Sequence, residues 1–166
     1  QLLGTWANRI KPFFDRGGFD PIYKRLKADS ARGKRIAPLS SATFRCFKET
    51  PFDDVKVILV GMCPYHTFNN GVPIADGLLM SCSTTGKLQP SLEQFYNALE
   101  KDVAKGLSVG MIKDPDLSYL ANQGVLLLNA ALTVEAGKPG SHNEMWEPFM
   151  QFLFEEVLLT NGIPVV

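Results

Sequence analysis

The chain has 166 residues, of which 45% are hydrophobic and 20% charged, and its formal net charge is zero. These values are typical of one globular domain with a hydrophobic core, and they exclude a disordered or low-complexity chain. No apolar run approaches the roughly 18 residues that a membrane span requires, and no signal-peptide pattern opens the chain. We therefore expect a single domain over residues 1–166 that has no membrane partner.

Cysteines and histidines are few and scattered. The three cysteines include no CxxC pair, and the two histidines are too far apart in sequence to suggest a shared metal. The sequence thus predicts a reduced, intracellular protein without a metal.

Charge is distributed unevenly along the chain. Residues 1–50 carry eleven Lys and Arg against four Asp and Glu, whereas residues 51–166 carry six against thirteen. Such an asymmetry can orient a protein on a polyanion although the net charge is zero. A solvated basic face on an N-terminal helix is the simpler explanation of the charge pattern taken alone.

The apolar pattern predicts elements in chain order. Helical spacing in the N-terminal third is followed by an extended segment at 36–38 and a short helix over 41–47. Aliphatic runs predict buried strands over 55–60 and 125–128. Further helices are predicted over 91–104, with Ser91 as N-cap, and over 146–159, before a strand that begins at 163. The N-terminal helical spacing is carried by Phe13, Phe14, Ile22, Tyr23 and Leu26.

Alternating strands and helices predict an α/β fold. In open α/β sheets, ligands bind beyond the C-terminal ends of the strands, so we expect segments 61–66 and 129–133 at one site. Segment 61–66 reads Gly-Met-Cys-Pro-Tyr-His. Its glycine lets the backbone approach a ligand and its proline stiffens the turn, but by itself the segment is typical of an ordinary strand-end turn.

Together with four later segments, residues 61–66 resemble the water-activating loop Gly-Gln-Asp-Pro-Tyr-His of family 1 uracil-DNA glycosylases. The other segments match in the same order at compatible spacing: 75–81 (Ala-Asp-Gly-Leu-Leu-Met-Ser), 89–92 (Gln-Pro-Ser-Leu), 123–134 and 141–149. The resemblance runs from about residue 36 to residue 166. It implies a central, mostly parallel four-stranded sheet flanked by helices.

The resemblance also implies a set of uracil-binding residues. Asn129 matches the asparagine that reads uracil, since a primary amide can both donate to O4 and accept from N3–H. Tyr65 matches the residue whose ring excludes the methyl group of thymine. The backbone amides of Met62 and Cys63 match those that contact uracil O2, and Met80 takes the place of a stacking phenylalanine.

DNA contacts are implied at three further positions. Pro90 and Ser91 match a loop that grips a DNA phosphate, and His66 is assigned to the same partner. Enzymes of this family flip the target base out of the duplex and hold it in a pocket. The expected partner is therefore uracil-containing DNA, and the resemblance implies no cofactor. It also implies a location in the cytoplasm, associated with the nucleoid, or inside a virus-infected cell.

The chain departs from the family pattern in its chemistry. Cys63 stands where the family has the aspartate that positions the attacking water and stabilises the cationic sugar. A thiol is mostly neutral at pH 7 and supplies neither charge nor a good base. A covalent role for Cys63 would need a nearby base, for which His66 is the one histidine close in sequence. Related glycosylase families carry Asn or Ala at this position, so activity without the aspartate has precedent.

Two further observations concern the missing end of the family pattern. The His-Pro-Ser loop and the DNA-intercalating leucine would follow residue 166, and a strand beginning at 163 is unusual for a complete domain. We therefore expect that the chain lacks the C-terminal part of its domain.

Three functional hypotheses follow. The first is a uracil-DNA glycosylase of base-excision repair, which hydrolyses the N-glycosidic bond of deoxyuridine with activity reduced by Cys63. The second is a non-catalytic DNA-binding, processivity or structural subunit derived from such an enzyme. The third is an enzyme for a different modified base, because Met62 and Met80 reshape the pocket.

Overall fold

The computed structural model describes residues 3–103 and 112–162 of the chain. Within these ranges lie six strands and six α-helices, and short 3₁₀ turns connect several of them. The strands are β1 (Ile36–Ala37), β2 (Val57–Gly61), β3 (Phe68–Asn69), β4 (Val72–Pro73), β5 (Val125–Asn129) and β6 (Val134–Glu135). The helices are α1 (Ala7–Asp15), α2 (Phe19–Ala31), α3 (Arg45–Glu49), α4 (Pro90–Val103), α5 (Ser118–Ala121) and α6 (Asn143–Phe152).

A parallel pair of strands, β2 and β5, lies at the centre of the fold. The pair runs in register from Val57 opposite Val125 to Gly61 opposite Asn129. Both strands were predicted, and the α/β class is confirmed. β2 begins two residues later than expected, because a 3₁₀ turn over Phe52–Asp54 precedes it. β5 is almost wholly buried, whereas β2 is buried only at Ile58, since β5 is its one strand neighbour in the described ranges.

The strand count differs from the predicted four-stranded sheet. Residues 3–103 and 112–162 hold three two-stranded sheets, of which β2–β5 is parallel while β1–β6 and β3–β4 are antiparallel. The short pairs stop at Pro38 and Pro73, which have no backbone N–H to extend a ladder. The strand predicted from residue 163 lies outside the described residues.

Two predicted helices form with shifted ends. α4 begins at Pro90, a position that suits a residue without an N–H, so Ser91 lies inside the helix rather than capping it. Position 104, the predicted end of that helix, is outside the described residues. α6 starts at Asn143, three residues before the predicted start, and continues as a π-helix over Leu153–Leu158.

Smaller differences occur in the N-terminal third. The predicted helix over 41–47 is a 3₁₀ turn (Ser40–Ala42) followed by α3. Of the residues at helical spacing, Phe13 and Ile22 are buried, whereas Phe14 is 67% and Tyr23 65% exposed. Phe13 and Phe14 are adjacent in one helix, and so are Ile22 and Tyr23. Adjacent side chains on a helix point in different directions, so only one of each pair faces the core.

Aromatic side chains fill the core between the N-terminal helices and α6. Trp6, Phe47, Trp146 and Phe149 are buried to at least 99%, and their rings meet edge to face at centroid distances of 5.0–6.1 Å. Such pairs add about 0.5–1.5 kcal/mol each beyond the area that they bury. This packing holds Trp6, α3 and α6 in one hydrophobic cluster with the buried residues of β2 and β5.

A buried carboxylate joins α2 to the segment after β5. Asp29 is fully buried; its Oδ2 accepts a hydrogen bond from Arg25 Nε at 2.8 Å, and its Oδ1 is ion-paired with Lys34 Nζ at 2.8 Å. His142 Nε2 lies 3.6 Å from Asp29, and its Nδ1 lies 2.8 Å from the hydroxyl of Thr133. The Lys34 ammonium lowers the pKa of Asp29 to about 2, and burial lowers the pKa of His142.

We expect acid to destabilise the protein through both groups. A folded-state pKa below the unfolded value contributes stability at higher pH, which is lost as the pH falls. The loss through His142 begins below about pH 6.5, and the loss through Asp29 runs from about pH 4 to about pH 2. Asp29→Asn should lower the free energy of unfolding by about 2 kcal/mol at neutral pH. The difference from the wild type should shrink towards pH 2.

Urea unfolding followed by tryptophan fluorescence at several pH values measures this effect. Asp15→Asn is the matched control, because Asp15 pairs with Lys11 on the exposed surface of α1. Equal stability of the wild type and Asp29→Asn at pH 7 would contradict the assignment.

Candidate active site

The two segments predicted to form one site meet at the C-terminal end of the parallel pair. Gly61 and Asn129 face each other in register. Beyond them, Ala130 N donates to Gly61 O at 2.7 Å and Ala131 N donates to Met62 O at 3.1 Å. The expected meeting of 61–66 with 129–133 is therefore confirmed.

A cavity of about 290 Å³ opens at this end of the sheet. Its size suits a single flat ring, and no carboxylate is among the residues that line it. The lining residues are Val60, Gly61, Met62, Cys63, Tyr65, Leu79, Met80 and Ser91.

A second cavity, of about 360 Å³, lies between α1, α2 and α6. Its walls are aromatic and aliphatic apart from the hydroxyl groups of Tyr23, Ser40 and Thr43, and the described residues that line it include no carboxylate, histidine or lysine. This lining therefore offers no charged group to bind a charged substrate.

Asn129 presents an unused acceptor beside the smaller cavity. Its side chain is 95% buried, and Oδ1 has no hydrogen-bond partner within residues 3–103 and 112–162. Oδ1 lies 3.3 Å from the place that a Cβ on Gly61 would occupy, and such a Cβ would also lie 2.2 Å from Leu79. The missing side chain of Gly61 thus lets Leu79 and the Asn129 amide pack closely against the backbone of β2. A buried acceptor without a donor costs about 1–3 kcal/mol, which a ligand N–H can recover.

Tyr65 connects the cavity to the first turn of α4. Its hydroxyl donates to Met80 O at 3.2 Å and lies 2.7 Å from Ser91 Oγ. Burial raises the pKa of the Tyr65 hydroxyl, so it stays protonated at neutral pH. A phenol has one proton; while Tyr65 donates to Met80, Ser91 must donate to Tyr65.

Met80 is held in a left-handed backbone conformation, with φ of 57°. Residues other than glycine rarely adopt this region, and the surrounding structure must impose it. The buried carboxylate of Asp76 accepts from Ser81 Oγ and Ser83 Oγ, both at 2.6 Å, and is paired with Arg45 at 3.0 Å. These bonds clamp the chain after Met80 and direct its side chain to the cavity wall.

Cys63 and His66 are the groups in the loop that could take part in chemistry. Cys63 is a free, partly exposed thiol that packs against Ala37, Ala75 and Val134. His66 Nδ1 is buried and has no hydrogen-bond partner in the part of the chain that the structure describes. Neither side chain is ion-paired within those residues.

Metal-binding clusters and membrane-spanning helices are both absent from the described residues. Over 3–103 and 112–162, no three His, Cys, Asp or Glu side chains cluster in a way that could hold a metal ion. None of the described helices is long and apolar enough to cross a membrane.

Comparison with known proteins identifies the family. No protein-family model matches the chain. Uracil-DNA glycosylase from Pseudomonas aeruginosa is 35% identical over 158 residues, which cover 95% of this chain and 65% of that protein. The enzyme of the same name from Francisella tularensis is 35% identical over 157 residues, 92% of this chain and 67% of that protein. The chain belongs to the uracil-DNA glycosylase family.

Solved structures of uracil-DNA glycosylases show the same fold. The mimivirus uracil-DNA glycosylase superposes with a TM-score of 0.83 at 25% identity, over 93% of this chain and 56% of that chain. The protein from Nitratifractor salsuginis superposes with a TM-score of 0.62 at 18% identity, a likeness of fold alone. The chain thus spans about two thirds of its curated relatives and just over half of the mimivirus protein.

The glycosylase fold gathers most of the predicted site residues and separates a few. Asn129 borders the cavity through Gly61, and His66 and Pro90 lie in sequence next to lining residues without lining it themselves. Sequence reasoning assigned no role to Asp76, although two serines at 81 and 83 could have suggested a shared carboxylate. The predicted residues that line the cavity are Met62, Cys63, Tyr65, Met80 and Ser91.

Proposed function

We propose that this chain is a family 1 uracil-DNA glycosylase that binds uracil flipped out of DNA and hydrolyses its N-glycosidic bond slowly. The observation that carries the proposal is the buried, unpartnered Oδ1 of Asn129 beside a cavity of ring size. An acceptor in that position suits the N3–H of uracil, and the amide nitrogen of the same side chain can donate to O4. Cytosine has no N3–H and presents an amino group instead of O4.

The loop after β2 supplies further donors for the base. In the described part of the chain, the backbone N–H groups of Met62 and Cys63 have no backbone acceptor, so they are free to bind uracil O2. The ring of Tyr65 lines the cavity and would meet a methyl group at C5 of thymine. These contacts support uracil as the base and do not depend on the identity of the side chain at position 63.

Hydrolysis requires more than a base pocket. Water must add to C1′ of the sugar while the bond to N1 breaks, and uracil departs with the bonding electrons. A carboxylate near C1′ would stabilise the positive charge that develops on the sugar. Cys63 offers a thiol there, and no carboxylate of residues 3–103 or 112–162 lines the cavity. We therefore propose activity well below that of a chain with aspartate at this position.

The same observation favours a second candidate function. A chain that keeps the base pocket and lacks the charged group could serve as a DNA-binding subunit without catalysis. Its binding would then be governed by phosphate contacts and would be strongly salt-dependent.

One experiment separates the two functions. The protein is incubated with a uracil-containing oligonucleotide, and alkali then cleaves the strand wherever a base has been lost; a thymine oligonucleotide of the same sequence is the control. We expect slow, uracil-specific cleavage. No cleavage with protein in excess, together with equal affinity for uracil and thymine DNA, would reject the glycosylase and support the binding subunit.

A further inference from the structure

An arginine stacked on an aromatic ring lies beside the loop that carries Cys63 and Tyr65. The guanidinium carbon of Arg35 is 4.0 Å from the ring centroid of Phe68. Arg35 directly precedes β1, and Phe68 opens β3 two residues after His66. A guanidinium over an aromatic face is attracted to the ring and loses rotational freedom.

Packing connects Phe68 to the loop that lines the cavity. Phe68 contacts the small cluster of Ala37, Ala75 and Val134, against which Cys63 and Tyr65 also pack.

Backbone bonds fix the same arrangement. Arg35 O accepts from Ala136 N at 2.8 Å, and the next residue, Gly137, donates to His66 O at 3.0 Å. Arg35 and His66 are thus each hydrogen-bonded to one of two adjacent residues, Ala136 and Gly137. These bonds hold Arg35 near the histidine that ends the cavity loop.

The charge of Arg35 is uncompensated. Glu135, which pairs with the neighbouring residue of β1, is already bound by Lys34 and Lys138 at 3.0 and 2.7 Å. Arg35 is exposed and has no ion pair within 3–103 and 112–162. An oriented cation that lacks a counter-ion is suited to bind an anion.

We propose that Arg35, held on Phe68, binds a phosphate of the DNA strand next to the flipped base. The inference rests on the proposed function, because it takes the cavity as the place of the base. Phosphates flank the base on its own strand, and planar guanidinium groups bind phosphate oxygens in pairs. Contacts to phosphate position the strand without reading its sequence.

The chain contains a matched control for this proposal. Arg9 stacks on Phe52 at 4.3 Å, is exposed, and has no ion pair among the described residues. Phe52 precedes β2, whereas Phe68 follows it, so the two stacked pairs lie at opposite ends of the same strand. The two arginine side chains are alike in chemistry and in exposure, and they differ in their position relative to the cavity.

Fluorescence anisotropy with a labelled, uracil-free oligonucleotide tests the proposal without interference from cleavage. Affinity is measured between about 50 and 200 mM salt for the wild type and for Arg35→Ala, Arg35→Lys and Arg9→Ala. We expect Arg35→Ala to weaken binding about five- to tenfold and to lower the salt slope by about 1. Arg35→Lys should keep the slope and lose about two- to threefold in affinity, and Arg9→Ala should match the wild type.

Several results would overturn the inference. Equal affinities and slopes for Arg35→Ala and the wild type, or equal losses for the Arg35 and Arg9 variants, would reject a phosphate contact at Arg35. Binding of an acidic peptide that depends on Arg35 while DNA binding does not would reject DNA as its partner. A wild type that binds no DNA at all would reject the proposed function as well, whereas intact DNA binding in Arg35→Ala rejects this inference alone.

Discussion

Cys63→Asp is expected to raise the rate of uracil excision by about 10²–10⁴-fold, the usual contribution of a positioned acid or base. The side chain at this position is partly exposed beside the cavity, so a carboxylate can be accommodated without being fully desolvated. It would stabilise the positive charge on the sugar and hold the attacking water. Single-turnover rates with a uracil-containing oligonucleotide, after alkaline cleavage, measure the gain.

Two variants control for size and for the thiol itself. Cys63→Asn has nearly the shape of the aspartate without its charge, and Cys63→Ala removes the thiol. Both should stay near the wild-type rate. Fast excision by the wild type that survives in Cys63→Ala would show that the thiol does not limit the chemistry. A large loss in Cys63→Ala would instead make the thiol a participant in the reaction.

Asn129→Ala is expected to abolish the preference for uracil, with a loss of at least about 10²-fold in excision efficiency. Sites built to hydrogen-bond a polar group discriminate strongly because their own buried groups need that partner. Asn129 has such a group in Oδ1. Competition between uracil and thymine oligonucleotides measures the ratio of the two excision efficiencies. It is measured for Cys63→Asp and for Cys63→Asp/Asn129→Ala, because the Cys63→Asp change is expected to make excision fast enough to compare.

Asn122→Ala is the matched control for this change. Asn122 is exposed and lies before β5, whereas Asn129 ends that strand, so the two side chains lie at opposite ends of it. Circular dichroism should show that both variants keep the fold. A uracil preference that persists in the Asn129 variant would assign base recognition to the backbone amides alone.

The parts of the fold that sequence predicts well are those set by local patterns. The aliphatic runs before Gly61 and through Asn129 predicted two strands, and near-continuous apolar runs are typical of a parallel pair, which β2 and β5 form. α4 was found to within one residue at its start, because Pro90 and the apolar stripe after it are both local signals. The meeting of two distant loops then followed from the rule that parallel strands end at one edge.

Other parts depend on contacts that no local pattern contains. The bond of Ser91 to Tyr65 replaced the expected capping role, since a hydroxyl goes to whichever partner the tertiary structure brings near. The clamp of Asp76 on the serines beside Met80 and the stacking of Arg35 on Phe68 are likewise contacts across the fold. Exposure of Phe14 reflects helix geometry that hydrophobicity alone does not show.

The register of Gly61 opposite Asn129 makes affinity a property of the whole sheet. The amide of Asn129 and the donors of the loop after Gly61 belong to two strands, so the proposed contacts to one base can form together only in molecules whose β2–β5 pair is intact, which we call the closed state. The apparent dissociation constant is the intrinsic constant divided by the fraction of molecules in that closed state. A substitution inside the β2–β5 pair, far from the cavity, can therefore weaken the proposed uracil binding, because it lowers the fraction of molecules in the closed state. It does so even though every residue of the pocket is unchanged.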